Sequence, residues 1–157
     1  MTDVEYMKIA LSQAKKSLES EDVPIGAVIV FDGQILAECC NTREKDCLTI
    51  AHAEINAITK ANQVLGRSRL DGATIYVTKE PCLMCMGAIL SAHIDKIVFG
   101  AYDPRFGTKE LARDNNFNHK CEIVGGVLEE DCSQLISEFF KSLRGKNASF
   151  RKDKNCT

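Results

Sequence analysis

A chain of 157 residues, 45% hydrophobic and 27% charged with three prolines, is sized for one domain and is too apolar for intrinsic disorder. Its formal net charge of −2 excludes a uniformly basic nucleic-acid binder, but the charge is uneven: residues 141–157 hold six Lys/Arg against one Asp. The longest charge-free apolar stretch, residues 81–94, is too short to span a bilayer, and Met1-Thr2-Asp3-Val4-Glu5 has no basic leader, so a cytoplasmic protein is expected, its eight cysteines reduced or metal-bound.

Thr2 and Glu5 form a capping-box pattern ahead of Val4, Met7, Leu11, Ala14 and Leu18 at helical spacing, which predicts a helix over 2–20. Residues 27–31 and 34–39 read as strands about an Asp32-Gly33 turn, a hairpin. A helix is expected over 51–65, closed by Gly66, then a strand over 73–78, a helix from Pro81 to about residue 92 and a strand over 96–101. Strand, helix and strand at this length make a parallel βαβ unit with a right-handed crossover. After a polar loop, a short strand near 122–124 precedes a helix whose stripe is Leu128, Cys132, Leu135, Ile136, Phe139, Phe140 and Leu143. Phe139 and Phe140, adjacent on a helix, cannot face the same way. The expected architecture is a single α/β domain over 1–145, a three-layer α/β/α sandwich around a mixed sheet of about five strands, with 146–157 a frayed basic tail.

Two segments carry the chemistry: His52-Ala53-Glu54 and Pro81-Cys82-Leu83-Met84-Cys85, both at helix starts. Cys82 and Cys85 at i and i+3 put two sulfurs on one side of a turn, where the helix dipole lowers thiol pKa. With the His52 imidazole they make a soft donor set suited to one Zn2+ per chain, leaving a fourth position for water. Glu54, in the first turn after the ligand, can reach that water and move its proton, and zinc brings the water's pKa from 15.7 toward about 7. Removing an amine from an aromatic ring by hydrolysis needs those parts: an activated hydroxide and a carboxylic acid to protonate the ring and the leaving ammonia.

His-x-Glu followed by Pro-Cys-x-x-Cys is the signature of the zinc-dependent nucleobase deaminases of the cytidine deaminase superfamily. Beyond it, the runs 23–28, 51–55, 76–88, 98–103 and 126–132, with Phe117-Asn118-His119-Lys120 and Phe139-Phe140, resemble the bacterial tRNA-specific adenosine deaminases over roughly 4–144. The resemblance implies a cytidine deaminase-like fold and conversion of adenosine to inosine at the wobble position of a tRNA anticodon stem-loop. It also implies a homodimer whose RNA sites draw on both subunits, and no membrane. It places Asn41 on the target base, Val23 and Pro24 at the pocket border, and Asp103, Asn118, His119, Phe140 and Arg144 near the RNA. Two stretches depart from the family pattern: Leu48-Thr49-Ile50 ahead of Ala51-His52, and Gly107-Thr108-Lys109-Glu110-Leu111 after Asp103.

Other readings of the same residues are a structural zinc site completed by Cys39, Cys40, Cys47 or Cys121, and a redox Cys-x-x-Cys pair. At the level of function the alternatives are a deaminase of a free base or nucleotide of guanine or cytosine type, and a non-catalytic zinc-containing RNA-binding subunit. Glu54 argues against the last, since a subunit without activity has no use for that carboxylate.

Overall fold

Thr2 starts the fold with the expected capping box, accepting the Glu5 N–H while the Glu5 carboxylate accepts the Thr2 N–H. In the computed structural model, which describes residues 1–114 and 119–155, this opens α1 (Asp3–Lys16), and a 3-10 turn over Ser17–Ser20 continues it. Strands β1 (Gly26–Phe31) and β2 (Gln34–Cys40) form the hairpin. Asp32 and Gly33 between them have φ of 50° and 74°, the doubly left-handed turn whose twist matches a two-residue hairpin.

There follow α2 (Ala53–Leu65), β3 (Thr74–Lys79), α3 (Leu83–Ser91), β4 (Lys96–Ala101), α4 (Lys109–Asp114), β5 (Glu122–Val124) and α5 (Glu129–Asn155). The sheet order is β2-β1-β3-β4-β5, with β1 antiparallel to both neighbours and β3, β4 and β5 parallel. The α3 crossover makes the β3–β4 pair parallel, as the βαβ pattern requires. Side chains alternate between two cores. Ile75, Val77, Ile97 and Phe99 face Ala57, Ile58, Met86 and Ile89 of α2 and α3, whereas Tyr76 and Val98 face Tyr6, Met7 and Ala10 of α1 and Cys132 of α5. Strands covered on both faces read as unbroken apolar runs, which is how β3 and β4 appear in the sequence.

Two expectations are corrected. The segment after Asp103 was expected to be loop but contains α4, six residues long and too short to show a periodic apolar stripe. The frayed tail expected from residue 146 is not seen: α5 continues to Asn155 as one 27-residue helix. Residues 141–155 contain no proline and no β-branched residue, and Gly145 alone costs only about 1 kcal/mol relative to Ala, too little to end a helix of Lys, Arg, Ala and Leu. Among the described residues no helix is long and apolar enough to cross a membrane.

Candidate active site

α2 and α3 each begin two residues after the expected start because His52 and Cys82 occupy their N-cap positions with extended backbones, φ/ψ −75°/155° and −72°/174°. Neither side chain caps its own helix, which leaves the imidazole and the thiol to face each other. His52 Nδ1 lies 3.7 Å from Cys82 Sγ and 3.6 Å from Cys85 Sγ, and the three donor atoms fall within 4.8 Å of one another. With Zn–S near 2.3 Å and Zn–N near 2.0–2.1 Å, the nitrogen–sulfur edge of a tetrahedron is about 3.6 Å. Both nitrogen–sulfur distances match that edge. Among the described residues no other three His, Cys, Asp or Glu side chains converge in this way, so none of the cysteines considered as a fourth ligand joins the group.

The electrostatics agree with metal binding. Cys82 is held down to about 4, first by the Cys85 thiol that donates to it and then by His52. Cys85 is pushed up by the same shared proton and by burial, and His52 is raised mainly by its bond to Cys82. His52, Cys82 and Cys85 would hold a divalent cation with both sulfurs as thiolates, the shared proton having been released. Glu54, in the first turn of α2, is buried, and desolvation raises its carboxyl well above the usual carboxylate range while it meets the Cys85 thiol. A buried carboxyl with a raised pKa beside a metal position is suited to picking up and returning protons.

Above this group is a cavity of about 250 Å³ whose walls include Val23, Asn41, Glu54, Asp103, Phe106 and Phe140. It opens beyond the carboxyl ends of β3 and β4, the usual position for ligands in α/β sheets. Asn41 is partly committed already: its Nδ2 donates to the Val23 carbonyl at 3.1 Å and its Oδ1 accepts the Arg43 N–H at 3.1 Å, which leaves one N–H and one lone pair for a base. Phe140 faces the cavity and Phe139 turns to a separate groove against Leu18, as adjacency on a helix demands. Grooves of about 290 and 390 Å³ along α5 hold no imidazole or thiol and offer no comparable chemistry.

The other residues singled out in the sequence are not all here. Pro24 is buried behind the wall that Val23 lines, and Arg144 is one turn beyond Phe140 without lining the cavity. His119 bonds the Ile94 carbonyl at 2.9 Å and approaches Asp95 at 3.4 Å, at the opposite end of β4 from Asp103. Asn118 lies outside the described residues. Conversely, Arg43, Lys79 and Phe106 line the cavity, and two buried carboxylates support its rim: Asp22, accepting the Glu44 and Lys45 N–H groups, and Glu80. An acidic residue between the end of β3 and Pro81-Cys82 was the available signal for Glu80.

The sequence matches the MafB19-like deaminase family over residues 1–144. A tRNA-specific adenosine deaminase of Bacillus subtilis (strain 168) is 48% identical over 152 residues, 94% of each chain. One of Streptococcus pyogenes serotype M18 (strain MGAS8232) is 40% identical over 143 residues, 88% of this chain and 90% of the relative. The chain belongs to the tRNA-specific adenosine deaminase family. A solved structure from work on A-to-I editing by tRNA:A34 deaminases at the wobble position of transfer RNA matches this deaminase with a TM-score of 0.77 at 36% identity, covering 83% of this chain and 98% of that one. The two stretches in which this deaminase departs from the family pattern precede His52 and follow Asp103, and neither supplies a donor to the metal group.

Proposed function

We propose that this deaminase converts adenosine to inosine at the wobble position of a tRNA anticodon loop, with one Zn2+ on His52, Cys82 and Cys85 and with Glu54 as proton carrier. The observation that carries the reading is the buried Glu54 carboxyl beside a three-donor group at the floor of a base-sized cavity. Bound zinc would act as a Lewis acid that makes water a nucleophile at neutral pH. Ionised Glu54 takes a proton from the attacking water and delivers it to the adenine ring nitrogen. It then carries the second proton to the departing amine, so that a C6–O bond replaces the C6–N bond and ammonia leaves.

At about 250 Å³ the cavity is smaller than the roughly 300–1,000 Å³ typical of drug-sized ligand pockets, which suits one base and not a stacked pair. Val23 and Phe140 provide apolar walls, and the free N–H and lone pair of Asn41 are available to the base edge. An unpaired loop nucleotide enters without the loss of duplex stacking. Arg43 and Lys79 at the mouth and the basic end of α5 would meet phosphates, with Asn118, His119 and Arg144 among the RNA contacts.

The homodimer is part of the same proposal. Leu48, Ile50 and Leu83 are each about half exposed or more and lie within four residues of His52 or Cys82 in the chain, an apolar set that a second copy would cover. A cytoplasmic location follows from a tRNA substrate.

Incubation of the zinc-loaded protein with an anticodon stem-loop and, separately, with free bases, nucleosides and nucleotides, followed by mass analysis, tests the reading. Inosine in the stem-loop supports it. Deamination of guanine or cytosine with none on RNA would establish the free-base alternative.

A further inference from the structure

The segment between β4 and α4 forms one wall of the cavity and supplies Asp103 and Phe106. Phe106 is 69% exposed, so packing of its ring does not hold this segment in place. A buried carboxylate does. Glu80 directly precedes Pro81-Cys82, and its side chain is fully covered. Its Oε1 accepts the Asp103 N–H at 3.1 Å and its Oε2 accepts the Lys109 N–H at 3.2 Å, so a single side chain ties both ends of the segment.

Three further contacts fit this arrangement. Lys109 Nζ approaches Oε1 at 3.4 Å and offsets the buried charge. Gly107 crosses so close to the carboxylate that a Cβ there would overlap it. Thr108 Oγ1 donates to the Pro81 carbonyl at 2.9 Å, next to the metal-binding turn. Within the segment, Asp103 Oδ1 accepts the N–H groups of Arg105 and Phe106, and Asp103 Oδ2 meets Lys79 Nζ at 3.2 Å. The aim of Asp103 and Phe106 therefore depends on where Glu80 holds the backbone that carries them.

We propose that Glu80 is a positioning residue for substrate recognition, clamping residues 103–109 so that Asp103 and Phe106 meet the nucleotide in a preset geometry. It rests on the reading of this cavity as the adenosine site. The clamp needs a carboxylate: glutamine has one acceptor oxygen where two N–H groups arrive, and its amide would turn an N–H toward another N–H. Loss of one such bond leaves a buried donor unpaired, and the segment has to be ordered by the substrate at each binding event.

The test compares zinc-loaded wild type with Glu80→Gln and Glu80→Ala on the anticodon stem-loop, with zinc content and amide hydrogen exchange over 101–111 measured on the same samples. KM should rise about tenfold in Glu80→Gln and more in Glu80→Ala, with kcat within about threefold of wild type. Exchange over 101–111 should quicken while zinc stays at the wild-type level. Gly107→Ala, which pushes on the clamp from the other side, should raise KM in the same way. Unchanged exchange in Glu80→Gln overturns the clamp whatever the substrate is. Faster exchange with KM unchanged overturns the role in recognition, and a fall in kcat with loss of zinc at constant KM makes Glu80 a support for Cys82 only. A wild type inactive on the stem-loop would overturn the tRNA reading instead, and the exchange result would still decide the clamp.

Discussion

Glu54→Gln separates proton carriage from everything else in the site. The side chain is buried, is not among the three converging donors, and touches the Cys85 thiol, so an amide of the same shape keeps the packing and one hydrogen bond. What it loses is the ability to take a proton from water and return it to base and leaving group. Positioned acid–base groups are worth about 10²–10⁴-fold, which at about 1.4 kcal/mol per decade is roughly 3–5 kcal/mol of transition-state stabilisation. Stability moves the other way. Because burial raises the Glu54 pKa, the folded state disfavours its charged form, and that penalty grows as pH rises through the raised pKa. A neutral isostere removes the penalty, so the variant should melt at the wild-type temperature or a few degrees above it; about 1 kcal/mol corresponds to about 2–4 °C in a domain of this size. Single-turnover deamination of the stem-loop, zinc analysis and thermal melts at neutral pH are sufficient measurements. A variant within tenfold of the wild-type rate refutes the proton-carrier role, and one that loses zinc makes Glu54 a ligand.

In the wild type, activity should fall on acidification with a midpoint above the ordinary carboxylate range, since Glu54 must be ionised to act and burial lifts its pKa; a pH profile of kcat/KM with no such limb would contradict this. Cys82→Ala should bind less than one zinc per chain and be inactive, and retention of full metal content would remove Cys82 from the ligand set. Burial pushes the Cys121 and Cys132 thiols up to about 12, so both stay protonated at neutral pH, and in the zinc-loaded protein both should alkylate later than the exposed Cys47; peptide mapping after timed iodoacetamide treatment reads the order. Their linkage has the sign of a raised pKa: the stability they confer is present at neutral pH and is lost as pH climbs past the unfolded thiol range toward 12. Truncation after Gly145 removes Lys146, Arg151, Lys152 and Lys154 and should flatten the salt dependence of RNA binding by about 0.7 in log–log slope for each phosphate that these side chains neutralise; an unchanged slope would show that this end of α5 does not touch RNA.

The metal group was legible in the sequence because its information is local. An i, i+3 pair after a proline and a His-x-Glu at another helix start need only the helix itself to become a donor set. The sheet was legible for a similar reason, since a two-residue Asp-Gly turn and a strand–helix–strand run each restrict pairing direction. The rim was not. Asp22 and Glu80 reach N–H groups 22 and 23 residues away, on loops with no periodicity, and a carboxylate bonded to backbone leaves no partner residue type to look for. His119 shows the converse: its family segment pointed to RNA, yet its chain position gave no sign that its ring would bond the Ile94 carbonyl. The length of α5 was misread because a polar tail of good helix formers has no apolar stripe to reveal it.

His52 and Cys82 belong to helix starts packed on the sheet, whereas Asn41 and Arg43 at one side of the cavity and Asp103 and Phe106 at the other lie on two separate loops, each fastened by its own buried acid. The centre that breaks the bond and the surfaces that choose which bond to break can therefore change independently. Rebuilding residues 41–50 or 103–109, with Asp22 and Glu80 kept as fixed attachment points, offers a route to new nucleobase preferences in which the metal centre is inherited unaltered.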